Sequence, residues 1–160
     1  MIRVLVALTL LAATSRSNAE PAQLGLGTAR VTTPAAVLFL VTDVSATATT
    51  TAAATVSFDS AVLGLGQALR ISVKAEGDVM LPGGTVVPAT YIAWTTSSVI
   101  NGVGMNGSLS KLTYTPVFEG VVGGASGGIN LNWTMAAIGT SVRAGTGQAT
   151  LRWKFEAITP

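Results

Sequence analysis

The chain contains no cysteine and no histidine, and only 10% of its 160 residues are charged. Those gaps exclude whole classes of chemistry. Zinc in its usual sites needs Cys or His ligands, and a serine or cysteine triad needs an imidazole to take the nucleophile's proton. Acid–base work would fall to carboxylates, lysine or tyrosine alone. With no disulfide staple, stability rests on core burial, which a domain of about 150 residues supports by hiding around 70% of its unfolded surface. Aromatics are sparse at 6%. No window sustains the 3.6-residue period of an amphipathic helix.

Long apolar runs are missing too. The longest, residues 4–13, is half the roughly 20 residues that a membrane-spanning helix needs. It follows Arg3 and precedes Ser17-Asn18-Ala19, a small-x-small site. Positive start, short apolar run and small-residue site together read as a secretory signal over residues 1–19. The competing reading is a buried N-terminal helix or strand. Cleavage after Ala19 removes Arg3 and Arg16, so the nine cations become seven against seven anions. A neutral mature chain has no electrostatic footprint for nucleic acid, and it has no membrane span. Its surface must be largely Thr, Ser, Ala and Gly, a composition suited to assembly or a matrix.

What is present is alternation. Residues 149–157 place Ala, Leu, Trp, Phe and Ala at odd positions and Thr, Arg, Lys and Glu at even ones. This is a strand with one dry and one wet face. Burying Leu151, Trp153 and Phe155 is worth roughly 6 kcal/mol at about 2 kcal/mol each, whereas a one-residue slip would bury Arg152, Lys154 and Glu156. Ile129, Leu131, Trp133 and Met135 form a second clean strand face. Leu69, Ile71 and Val73 form a third. Residues 36–44 are apolar on both faces, as in a strand covered on both sides. Residues 109–118 and 85–96 read as strands interrupted by Pro116 and Pro88.

Glycine and proline clusters punctuate these segments. Seven or eight short strands predict an all-β, antiparallel Ig-like β-sandwich over residues 34–160, with barrel closure as the alternative. Trp94, Trp133 and Trp153 are expected to share the core with Leu151 and Phe155. Residues 20–33 read as a flexible N-terminal segment.

Three motifs match catalytic patterns in letters only. Gly124-Ala125-Ser126-Gly127-Gly128 fits the nucleophile elbow, but no histidine exists and a strand follows. Gly102-Val103-Gly104-Met105-Asn106-Gly107 fits a dinucleotide loop without the βαβ unit that would use it. Ser108-Leu109-Ser110-Lys111 lacks the helical spacing that a Ser–Lys pair requires, so Lys111 is expected to be a solvated side chain. No loop holds the three acids typical of a Ca²⁺ site. No catalytic, cofactor or metal site is therefore expected. Asn106-Gly107-Ser108 and Asn132-Trp133-Thr134 match glycosylation acceptors; a polar loop group and a strand's wet face are the plainer readings. Tyr91 and Tyr114 are the candidates for stacking on a sugar.

The closing segment, Ala144-Gly145-Thr146-Gly147-Gln148-Ala149-Thr150-Leu151-Arg152-Trp153, resembles the Gly-Thr-then-alternating ending of bacterial surface β-sandwiches, in particular fimbrial subunits and spore coat U-like pilins. Gly147 stands fourteen residues from the C-terminus, as such a glycine often does in pilins. Thr159 occupies the penultimate position where they usually carry tyrosine, and the spore coat U cysteine pair is absent. Leu151-Arg152-Trp153-Lys154-Phe155 also resembles the Trp-x-Leu strand of wall-binding surface domains, with Phe155 in place of leucine.

The pilin resemblance implies an incomplete sandwich completed by a strand from a neighbouring subunit, with related subunits and a periplasmic chaperone as partners. Residues 20–31, with alternate Leu24 and Leu26, are then the candidate donor strand. The expectation is an exported structural or adhesive subunit at the periplasm, cell surface or beyond, without catalysis. The alternative is a monomeric module binding glycan or cell wall.

Overall fold

A computed structural model of the protein describes residues 6–12, 20–24, 27–139 and 142–160. Among these residues the chain is all-β, with a single 3-10 turn at Ala89–Tyr91 and no α-helix. Two curled sheets pack face to face as a β-sandwich.

Numbered along the chain, one sheet holds β1 (Val6–Ala12), β4 (Ala36–Val41), β7 (Ala68–Ala75), β8 (Val79–Met80), β9 (Val86–Val87), β11 (Gly102–Gly104), β13 (Thr115–Gly120) and β15 (Gly145–Ile158). Its main path runs β11-β13-β7-β15-β1-β4. The other holds β2 (Glu20–Leu24), β3 (Gly27–Thr32), β5 (Ala48–Thr49), β6 (Ala54–Val62), β10 (Ile92–Ile100), β12 (Gly107–Ser108) and β14 (Gly127–Met135). Its path runs β12-β10-β14-β6-β3-β2. The strand count exceeds seven or eight because several short pairings, such as β5, β8 and β9, are two residues long.

The alternating strands take the register that their apolar residues require. On β14, Ile129, Leu131, Trp133 and Met135 are all buried. Strand β7 turns Leu69, Ile71, Val73 and Ala75 inward with no exposure. Antiparallel pairing sets Trp153 against Val73 and Phe155 against Ile71, so these residues share the inner face. Arg152 and Lys154 are exposed on the outer one.

Four expectations about elements need correction. Residues 27–32 are not a loose segment. They pair with β6 and bury Ala29 and Val31, so the sandwich begins before residue 34. Strand β4 is covered on one face only: Val37, Phe39 and Val41 are buried, while Leu38 and Leu40 are more than half exposed. Residues 109–114 form a loop in which the Ser110 hydroxyl accepts the Leu112 and Thr113 N–H groups at 3.1 and 3.2 Å. That local bonding competes with a strand ladder. Finally, Trp153 and Phe155 are half-buried, unlike Leu151 at 1%. Among the described residues β1 pairs with β15 as far as Leu151, and from there to Ile158 the neighbour of β15 is β7.

Candidate functional site

The apolar run that reads as a signal is, in the full chain, strand β1. It lies parallel to β15, from Val6 opposite Gly145 to Ala12 opposite Leu151. Against β4 it is antiparallel, from Val6 opposite Val41 to Leu11 opposite Ala36. Among the described residues β1 is the neighbour through which β4 belongs to its sheet. The seat between β4 and β15 is therefore one strand wide and about seven residues long.

Burial on the flanking strands defines what this seat accepts. Val41, Phe39 and Val37 are buried on β4, and Gly147, Ala149 and Leu151 on β15. In the register above, β1 residues 6, 8 and 10 are opposite Val41, Phe39 and Val37, and residues 8, 10 and 12 are opposite Gly147, Ala149 and Leu151. The core side of the seat is thus walled by Val37, Phe39 and Val41 on one flank and by Gly147, Ala149 and Leu151 on the other. An empty seat would leave the ladder groups of both flanking strands unpaired. Each buried one costs about 1–3 kcal/mol.

Gly147 fixes the floor of the seat. A methyl group there would sit 2.5 Å from Leu81 Cδ2, 2.8 Å from Val79 Cγ1 and 2.9 Å from the Met80 carbonyl oxygen. The 79–81 segment packs directly on the start of β15, and only a residue without a side chain allows that approach.

The N-terminal segment expected to donate a strand is divided by the structure. Glu20–Leu24 forms β2, the outermost strand of its sheet, paired with β3 alone. Leu26 lies outside the described residues. Residues 27–31 belong to the chain's own sandwich.

The expected core residues fall on both sheets. Trp94 and Trp133 are direct cross-strand partners on β10 and β14. Both are buried, with ring centroids 5.2 Å apart and planes tilted by 57°. Trp94 Nε1 donates to the Met105 carbonyl at 2.8 Å. The Trp133 and Trp153 indole nitrogens are buried and have no hydrogen-bond partner among the described residues. Trp153, Phe155 and Leu151 line the facing sheet.

The outer face of β7 and β15 gathers much of the chain's charge. Arg70 donates to Glu119 at 2.9 Å, Lys154 pairs with Glu156 at 2.7 Å, and Arg152 pairs with Glu76. Two ammonium groups, Lys74 and Lys154, lie over the Tyr114 ring at 5.1 and 5.6 Å. Such cation–π contacts occupy the ring face that a sugar would need. Tyr91, at 41% exposure, keeps an open ring.

Lys111 is not merely solvated. It reaches Asp78 at 2.5 Å, while the Asp78 carboxylate also accepts the Ala89 N–H at 2.9 Å. The hydrogen bond from Lys111, aided by that from Ala89, holds the Asp78 carboxyl below its ordinary range. The Ser45 hydroxyl and N–H do the same for Asp43, at 2.6 and 2.9 Å.

Two of the literal motifs lie on loops and short strands. Ser126 lies in a turn leading into β14, and the 102–107 stretch runs through β11 and into β12. The two glycosylation-type asparagines bond within their own sheet. Asn106 Oδ1 accepts from Thr96 N–H and Oγ1, and Asn132 donates to Ser97 Oγ. Among the described residues no three His, Cys, Asp or Glu side chains converge, and no helix is long and apolar enough to cross a membrane. A comparison with protein-family models finds no match, and neither does one with curated proteins.

Proposed function

We propose that the protein is an exported structural or adhesive subunit of a surface assembly, pilin-like, whose sandwich is completed by a strand in the seat between β4 and β15. The observation that carries this reading is the identity of the occupant. The stretch seated there, β1, lies inside the segment that carries the marks of a removable signal. Removal of residues 1–19 opens a slot flanked by two strands with unpaired backbone, the condition that β-augmentation satisfies.

The candidate donor is the 20–26 segment of a second copy, with Leu24 and Leu26 at alternate positions. Its described part, β2, has β3 as its ladder partner among the described residues, so releasing it leaves the other pairings of its sheet intact. A periplasmic chaperone is the natural guard of an open slot before assembly. The reading assigns the protein no catalytic step, in keeping with a chain that lacks imidazole and thiol.

Size-exclusion chromatography of the exported chain tests the proposal. Ordered polymers, or recovery only with a co-expressed chaperone, support it. A stable monomer beginning at residue 20 and retained on polysaccharide favours instead a glycan- or wall-binding module, with Tyr91 as the open aromatic. Polymers that persist after deletion of residues 20–26 would rule out that segment as the donor.

A further inference from the structure

One end of the sandwich carries residues 62–67, 99–104 and 120–126, and none of these three segments contains an ionisable side chain. They present aliphatic groups instead. Leu65 is fully exposed, Val62, Ile100 and Val103 are at least 60% exposed, and Val121 and Val122 about half.

These apexes are built and braced. The 64–67 turn closes through Gln67 N–H to the Gly64 carbonyl at 3.1 Å and Gly64 N–H to Gln67 Oε1 at 2.9 Å. The Gln67 carbonyl also accepts Gly123 N–H at 2.8 Å, which ties the second apex to the first. Asn101 ties the third. Its carbonyl accepts Val121 N–H at 3.0 Å, and its side chain donates to the Ser126 carbonyl at 3.1 Å. Val103, Val121 and Val122 line one shallow pocket of about 430 Å³. The polar groups of the loops are thus used inward, and the aliphatic ones are held outward. Glu119 and Pro160 also line that pocket. Arg70 and Glu119 neutralise one another at 2.9 Å, and Asp59 binds Ser60.

We propose that this end is a lipid-contacting tip that seats its aliphatic apexes in the interfacial layer of a zwitterionic phospholipid bilayer. Exposed aliphatic groups clustered at one end of a molecule mark an interaction site. Separate points on three loops do not make a flat face complementary to a second copy, whereas a bilayer requires no fixed shape. Head-to-tail stacking would press these apexes on the opposite end, where Asp43 and the Asp78–Lys111 pair lie, and would desolvate those charges. The absence of Lys and Arg from the tip removes the attraction to anionic lipid that basic surfaces have. This inference goes beyond the assembly reading and does not depend on it.

Flotation of the full chain with phosphatidylcholine vesicles tests it. The wild-type chain is expected to co-float, unaffected by 1 M KCl on the order of the highest screening used, and no better with added phosphatidylserine. Leu65→Asp and Val122→Asp should each weaken co-flotation about tenfold while leaving the circular dichroism spectrum unchanged, because binding scales with buried apolar area. A Leu65→Trp variant should shift its emission to the blue on adding the same vesicles. Failure to float, binding that needs anionic lipid and is released by salt, or floating that survives both substitutions would each overturn the proposal. So would concentration-dependent dimers that Leu65→Asp dissolves and that do not float. The oligomeric state of the strand-exchanged form reads the assembly proposal separately, since neither substituted residue lies at the seat.

Discussion

Trp94 and Trp133 meet across β10 and β14 at 5.2 Å, yet among the described residues only Trp94 of the two has an acceptor for its indole N–H, the Met105 carbonyl. The pair is chemically similar and energetically unequal. Trp94→Phe loses ring area and a hydrogen bond, and strands a carbonyl. Trp133→Phe loses similar area but removes an unsatisfied donor. The first should therefore destabilise the protein by about 1 kcal/mol more than the second. Urea unfolding of both variants measures the difference, and equal losses would contradict the account.

Gly147 should resist replacement by any residue with a side chain. Gly147→Ala drives a methyl group into Leu81, Val79 and the Met80 carbonyl, and overpacking of that kind costs roughly 1–3 kcal/mol. Gly77 makes the control, since a methyl group there meets nothing within 4 Å. Thermal melts should separate the two alanine variants clearly, with Gly77→Ala close to wild type.

Acid should loosen the loop that Asp78 organises. Its folded pKa lies below the ordinary 3.8, owing first to Lys111 and then to the Ala89 N–H. A depressed carboxylate contributes stability that is present above the unfolded pKa and is lost as pH falls through the folded value. The melting temperature should therefore drop below about pH 4, and Asp78→Asn should start lower at neutral pH and fall less on acidification. Parallel pH profiles for the two proteins would remove Asp78 from the explanation. Asp43, held by Ser45, contributes in the same direction.

How much of this was legible in the chain depends on where each signal lives. Strands β14 and β15 announce themselves because large apolar and polar residues alternate over several positions, so face and register follow from one strand alone. The core places of Trp133 and Leu151 follow on that basis. Strand β3 is silent in the sequence because its inward residues are Ala29 and Val31, too small to stand out beside Thr28 and Arg30. Exposure of Leu38 and Leu40 was not readable either, since it depends on what covers β4 from outside. The Asp78–Lys111 pair joins residues 33 positions apart. The strand seat is a relation among residues near 6, 40 and 148, which no local window contains. At the other end, Val121 and Val122 sit beside glycines that mark a turn but do not show that it is braced by Gln67 and Asn101.

The seat between β4 and β15 is the centre of the account, and amide exchange reads it most directly. In the full chain, backbone amides of Ala36–Val41 and Gly145–Leu151 should be protected. A chain beginning at residue 27, which has neither the first strand nor a donor, should exchange those amides about a hundredfold faster or more. Adding a synthetic peptide of residues 20–26 should restore protection to both strands together. Full protection of both strands in the monomeric, truncated chain without peptide would contradict the account, because the sandwich would then be complete without any strand in the seat.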